Sequence, residues 1–519
     1  MRSTSLAIRT GAFGLALILG LAAGVSAQRQ QPPEYKEVVA ASRIKDAAAR
    51  LKEFERIKAA YPQSPMAASI DNFIIDARIE LAPTLDAVLE IQKNVVGQGA
   101  GPRLVSGYLQ GASQILEHPK VKSFDSAKVL EIVLRYKDGG AKAAAEPATL
   151  AALQDKEQQK AFAEYYRNAF ELASAQAYLN AGQAAKALTI LDAYRVAGGA
   201  ADGGYLFARG EACDRLGRSK DAFDAYLGAA VEKYEGAADK ARALYVKLNG
   251  KADGFETVFE AKRKELPYHP EPFKAPADWK GKVVLAEAFT GSECPPCVGA
   301  DLGFDGLIEA YPSQYLAVLE YHLPIPRPDP IMNAATQKRQ AYYGVNSTPS
   351  TFFDGEAKAG GGGSRGMSEG KFKAYKAEID GRIGAALELL IKAKASRAGD
   401  AVKVECEFDR SVPGAEVYAA LVQNVEKYAG SNGIVEHKMV VRDLAVLAEG
   451  SKTAAFDLAA SEKAADEYLT NFENTSTRFK GYKFPERHAR IDRSALRIVV
   501  FVQMKETKKV LNAVVAEVQ

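Results

Sequence analysis

Two of the chain's four cysteines, Cys294 and Cys297, stand two residues apart in the run Cys294-Pro295-Pro296-Cys297. Thiols at this spacing either close a disulfide across the first turn of a helix or ligate a soft metal, and the spacing alone leaves both open. A metal needs further ligands; His322 is the histidine that the pattern brings near the pair, while His118, His269, His437 and His488 show no ligand spacing. Three features of context favour redox chemistry. The motif follows an apolar run from 283 to 289 and opens a helical pattern, so Cys294 sits where unpaired N–H groups and the helix macrodipole stabilise a thiolate. Pro295 and Pro296 suit first helical positions, which need no N–H donor. Thr348-Pro349 stands about fifty positions downstream, directly ahead of the strand-like Thr351-Phe352-Phe353. The expected redox group is the dithiol itself, with no metal and no separate cofactor.

The elements that must position this pair follow from hydrophobic periodicity. Residues 35 to about 265 read as helix, with apolar residues at three- and four-residue spacing, as in Ile44, Ala48, Leu51, Phe54 and Ile57. Within them Ala175-Gln176-Ala177-Tyr178 aligns with Gly210-Glu211-Ala212-Cys213, Gly182 with Gly217, and Ala187-Leu188 with Ala222-Phe223, a period of 35 residues. That is close to the roughly 34 residues of a tetratricopeptide repeat, which the stretch 170–235 resembles. The resemblance implies a groove for a peptide or partner protein. Cys213 falls on the inner face of such a helix and reads as a small core residue.

A proline-rich stretch, 266–278, predicts a stiff linker. Beyond it strands and helices alternate: a strand at 283–289, a helix from the motif to 310, a strand at 315–321, helix at 333–343, a strand from 351, and a helix at 368–386. From 387 the period becomes two, with strands expected near 387–391, 402–408, 417–421, 437–447, 452–458, 495–504 and 509–518. Seven short strands suggest an immunoglobulin-like β-sandwich, with Cys406 on its core face. The expected fold class is therefore multidomain. It comprises a signal peptide (1–27), an all-α repeat domain (28–265), the linker, an α/β domain (279–386) and an all-β sandwich (387–519).

The signal peptide is read from Arg2 and Arg9, the apolar run 12–23 and the small residues Val25-Ser26-Ala27. It predicts a periplasmic or secreted protein with no membrane span after cleavage. Lys and Arg number 68 against 65 Asp and Glu, a net charge of +3, with 47% hydrophobic and 26% charged residues. This balance lacks the basic excess of a nucleic-acid binder, and a chain so long with four cysteines is not a disulfide-stapled miniature fold.

Residues 281–386 resemble thioredoxin-like proteins, and Cys-Pro-Pro-Cys is typical of the exported thiol–disulfide interchange proteins of the TlpA and ResA type. Glu287-Ala288-Phe289-Thr290-Gly291 resembles the signature of an outer-membrane-associated thioredoxin-like group. The resemblance implies that Cys294 is the nucleophile, Cys297 the resolving thiol and Pro349 a cis-proline, with Thr348 and Glu293 facing substrate. The implied partners are thiol- or disulfide-containing exported proteins and an electron donor. The chain departs from the family in having Glu293 where a Trp precedes the first cysteine. It also has Ala288 where a buried Asp accepts the resolving thiol's proton. Glu287 is adjacent and is the sequence's candidate for that base, although strand alternation aims it at the opposite face. Thr290 stands four positions before Cys294, not the three a peroxidase nucleophile requires. The prolines remove N–H donors and Glu293 adds a charge worth about 1 kcal/mol against the thiolate, so a reducing or isomerising poise is expected. The rival expectation is a non-enzymatic exported scaffold whose repeats bind partners.

Overall fold

The computed structural model describes residues 32–357 and 360–519; the expected signal peptide lies outside them. The described residues divide into two compact units, one within 1–199 and 203–252 and the other within 200–202 and 253–519. None of the described helices is long and apolar enough to cross a membrane.

The first unit is helical. Its helices start where side-chain acceptors meet unpaired N–H groups: Asp46, Thr84, Asp125 and Asp155 each cap a helix, and Pro102 and Pro147 occupy first turns. The repeat read from sequence corresponds to two helix pairs, Lys156–Asn180 with Ala184–Val196 and Gly203–Arg215 with Ser219–Val231. Gly182 and Gly217 both turn at φ +75° between the paired helices, where a side chain would be strained. The following N–H reaches back identically in each pair, Gln183 to the Tyr178 carbonyl and Arg218 to that of Cys213, closing the helix end. Cys213 is buried, and burial pushes its thiol up.

The second unit is built on an eight-stranded sheet of order β11-β10-β7-β8-β2-β1-β3-β4. Its strands are β1 (Val284–Thr290), β2 (Leu316–His322), β3 (Ser350–Phe353), β4 (Glu356–Ala357), β7 (Ala415–Lys427), β8 (Glu436–Val446), β10 (Leu496–Met504) and β11 (Val510–Glu517). Strands β5 (Ile391–Ala398), β6 (Ala401–Phe408) and β9 (Thr453–Asp457) form a separate three-stranded sheet. β1 and β2 are parallel and β3 runs antiparallel to β1. Every residue of β1 and β2 is buried, as expected of strands covered on both faces. After a helix at Phe255–Lys264 come α1 (Val298–Ala310), α2 (Ala334–Tyr343), α3 (Ser368–Ile383) and α4 (Leu458–Thr475).

Six of the seven expected C-terminal strands are present, while the first, expected at 387–391, instead runs Ile391–Ala398; together they do not make a sandwich of their own. β7, β8, β10 and β11 extend the sheet of β1–β4, and one core holds Val284, Phe304 and Tyr375 together with Tyr418, Val441 and Phe501. The opposite face of these strands packs Leu421, Ile498 and Val500 against Val402, Val404 and Cys406 of the small sheet. Alternation therefore divides β10 between two cores, Val499 and Phe501 to one, Ile498, Val500 and Val502 to the other. Period two reveals which faces are buried but not which edge a strand joins, and that is why the sequence suggests a separate sandwich. Helix α4 is also absent from the sequence reading. Asp457 caps it through the Ala460 N–H, and Leu458, Ser461 and Leu469 bury one face at helical spacing. The 266–278 stretch lies on the second unit, with Tyr268 donating to the Leu302 carbonyl at 2.8 Å and Phe273 stacked on Tyr311.

Candidate active site

β1 delivers the chain to the cysteines. After Thr290 the backbone turns, the Cys294 N–H donating to the Gly291 carbonyl and the Cys297 N–H to that of Cys294, each at 3.0 Å. Pro295 and Pro296 begin a single 3-10 turn that runs into α1. Cys294 and Cys297 are joined, with S–S 2.06 Å and Cα–Cα 5.3 Å, and both residues are completely buried, while the prolines between them are exposed. The Thr348–Pro349 bond is cis, as is Ile325–Pro326. The Thr348 hydroxyl lies 3.3 Å from the Cys294 sulfur and 2.8 Å from the Ile325 carbonyl oxygen. The structure thus brings Cys294, Cys297, Thr348 and Pro349 together.

Glu293 is partly exposed. Its carboxylate accepts from the Tyr428 hydroxyl at 3.1 Å and the Ser431 N–H at 3.3 Å. Its charge, after burial, helps push the Tyr428 phenol upward.

Glu287 lies elsewhere. It is fully buried, accepting from Arg339 through Nε at 2.8 Å and Nη2 at 2.9 Å, from Tyr321 at 3.0 Å and from Tyr343 at 2.6 Å. These bonds fill its oxygens on the α2 side of the sheet, and none runs to a cysteine. The assignment of Glu287 as base is corrected accordingly: the strand does not bulge, and alternation holds the carboxylate on the far face.

The face toward α1 carries acids that the sequence reading did not single out. Ala288 is in register with Glu320 of β2, so the neighbouring strand places a carboxyl beside the alanine on the same face. Asp301 stands one helical turn beyond Cys297, on the same side of α1. It accepts from the Thr290 hydroxyl at 2.5 Å, and its second oxygen and Glu320 Oε1 are buried without a hydrogen-bond partner. Burial pushes Asp301 up to about 7 despite the Thr290 bond, and Asp305 up to about 6 although Lys438 lies 3.4 Å away. Glu320 is raised well above the usual carboxylate range by burial and then by the charges of Asp301 and Asp305. The Asp301 charge thus opposes ionisation of Glu320. The signal was present in sequence: a charge inside the apolar run 316–322, and an acid four positions after the second cysteine.

His322 does end β2, but its Nδ1 is 2.9 Å from Asp329 Oδ2. Asp329 also accepts from the Ser292 N–H at 2.6 Å and the Ile331 N–H at 2.8 Å. Burial raises its pKa, but His322 and these bonds outweigh burial and hold it below the usual range. Among the described residues no group of three or more His, Cys, Asp or Glu is placed to hold a metal ion. Cys406 is buried, which pushes its thiol up to about 11.

No protein-family model and no curated protein matches the chain. Among solved structures, HBP35 of Porphyromonas gingivalis matches at 16% identity and a TM-score of 0.30, covering 45% of this chain and 74% of that one. A score so low carries no argument about fold or function.

Proposed function

We propose that the protein is an exported, thioredoxin-like thiol–disulfide oxidoreductase that reduces or isomerises disulfides in other exported proteins. The observation that carries this reading is the Cys294–Cys297 disulfide at the start of α1, with the Thr348 hydroxyl 3.3 Å from the Cys294 sulfur ahead of cis-Pro349. In the reduced protein the Cys294 thiolate attacks a client disulfide and one client sulfur leaves as thiolate. The Cys297 thiol then loses its proton and attacks the Cys294 sulfur of the mixed disulfide. The second client sulfur leaves, and the protein's disulfide forms as the client's is reduced. Asp301, one turn from Cys297 with an unpartnered oxygen, takes that proton in this reading. Glu287 with Arg339 anchors the opposite face of β1.

The helical first unit is proposed to hold a client or partner protein, and an electron donor returns the disulfide to the dithiol. A second reading, a scaffold whose disulfide never exchanges, is favoured by one observation, the complete burial of both cysteines. The reduced protein catalysing insulin reduction, with Cys294→Ser inactive, supports the first reading. A disulfide inert to dithiols until the protein unfolds supports the second.

A further inference from the structure

A disulfide without exposed surface is beyond the reach of an incoming thiolate, which must approach in line with the S–S bond. Some part of the wall around Cys294 and Cys297 must therefore move before exchange. The 323–331 loop is fixed by fully buried Asp329, which holds His322 and the N–H groups of Ser292 and Ile331. Thr348 is held between the Ile325 carbonyl and the Cys294 sulfur. Two segments remain: Gly363, whose N–H donates to the Pro296 carbonyl at 2.7 Å and whose carbonyl accepts from the Gly299 N–H at 3.0 Å on the α1 side, and the turn of residues 428–435 between β7 and β8.

This turn grips the chain on both sides of the disulfide. Before Cys294, the Asn432 N–H donates to the Ser292 carbonyl at 3.1 Å and its side-chain amide to that of Gly291 at 3.4 Å. The Tyr428 hydroxyl and the Ser431 N–H donate to Glu293. After Cys297, Ile434 packs on Val298 and Leu302. Gly430 lies so close that a Cβ there would stand 2.3 Å from the Ser292 carbonyl oxygen; only glycine permits the approach.

We propose that the 428–435 turn sits on the client edge of the disulfide as an internal stand-in, and that the pair exchanges only when a client segment displaces it. The proposal rests on the exchange reading above. The groups the turn occupies, the carbonyls of Gly291 and Ser292 and the carboxylate of Glu293, are all acceptors. The segment that replaces it must bring donors, namely backbone N–H groups of an extended chain and hydroxyl or cationic side chains. The turn determines both access and client preference.

The test measures how fast the oxidised full-length protein is reduced by a water-soluble phosphine, which converts the disulfide and water to two thiols and the phosphine oxide. Gly430→Val forces the turn off Ser292 and is expected to raise the rate at least tenfold. The double variant Tyr428→Phe with Asn432→Ala, which removes the side-chain bonds to Glu293 and Gly291, is expected to raise it severalfold. With reduced protein, cystine peptides flanked by lysine are expected to exchange at least fivefold faster than glutamate-flanked ones. Unchanged phosphine rates in both folded variants overturn the proposal, as does turnover of both cystine peptides with an absent or reversed preference. Rates that rise in the variants while no cystine substrate is ever turned over leave the cover intact and instead overturn the exchange reading.

Discussion

Asp301→Asn separates the proton acceptor from the nucleophile. Asparagine matches the carboxyl in shape and still accepts from Thr290, but it cannot take a proton at Oδ2. An ordinary thiol of pKa about 8.5 is roughly 3% ionised at pH 7, and burial lowers that fraction. A positioned base is worth about 10²–10⁴ in such a step, so resolution by Cys297 should slow by about a hundredfold. The assay is stopped-flow reaction of reduced protein with dithiobis(nitrobenzoate), which releases one chromophore when Cys294 attacks and a second when Cys297 resolves. The first phase should change less than about threefold. The wild-type second phase should rise as Asp301 ionises near pH 7, and the variant should lose that limb. Stability gives an independent readout. Asp301 is raised from 3.8 to about 7 in the folded state, so its contribution is fully present below about pH 4 and is lost as pH rises through about 7. At about 1.4 kcal/mol per unit, the stability of Asp301→Asn relative to wild type should grow by up to about 4 kcal/mol between pH 4 and pH 8. The Asp301 charge also raises Glu320, so the variant relieves that acid as well, and the pH-dependent difference belongs to the pair. An unchanged second phase together with a flat stability difference refutes the assignment.

Other expectations concern the two faces of β1 and the remaining cysteines. Arg339→Met strips buried Glu287 of its ion-pair partner and should cost about 3–5 kcal/mol in urea unfolding, with the first chromophore phase kept; a loss under 1 kcal/mol contradicts the account of that network. The reduction potential of the Cys294 pair, measured against glutathione, should lie below about −180 mV, because Glu293 opposes the thiolate and the prolines withdraw donors; a value near −120 mV contradicts this. Cys213 and Cys406, both buried, should resist iodoacetamide until the protein unfolds, and native labelling of either refutes its role as a core residue.

Much of this architecture is legible in the sequence because its signals are local. The helices of the first unit, the strand before the cysteines, α1 and six of the seven later strands follow from periodicity, and Gly182 and Gly217 mark equivalent turns because left-handed backbone favours glycine. What escaped is non-local. Whether β7 and β8 form a second layer or join β2 depends on an edge pairing, Glu320 with Val440, that no pattern along the strand encodes. A second pairing, β1 with β2, hides the site's acids: Ala288 looks like a missing carboxyl until its register partner Glu320 and the helical neighbour Asp301 are seen beside it. Glu287 drew attention by proximity in sequence, although one step along a strand reverses the face. The turn at 428–435 is more than 130 residues from the cysteines, and nothing in Tyr428-Ala429-Gly430-Ser431-Asn432 announces its target.

The central claim is that Cys294 and Cys297 exchange electrons with client disulfides, and insulin reduction by dithiothreitol in the presence of catalytic amounts of the protein tests it most directly. Wild-type protein should shorten the onset of insulin precipitation in proportion to its concentration, with Cys294→Ser no better than dithiothreitol alone. Wild-type protein that leaves the onset unchanged, or a Cys294→Ser variant as active as wild type, would contradict it.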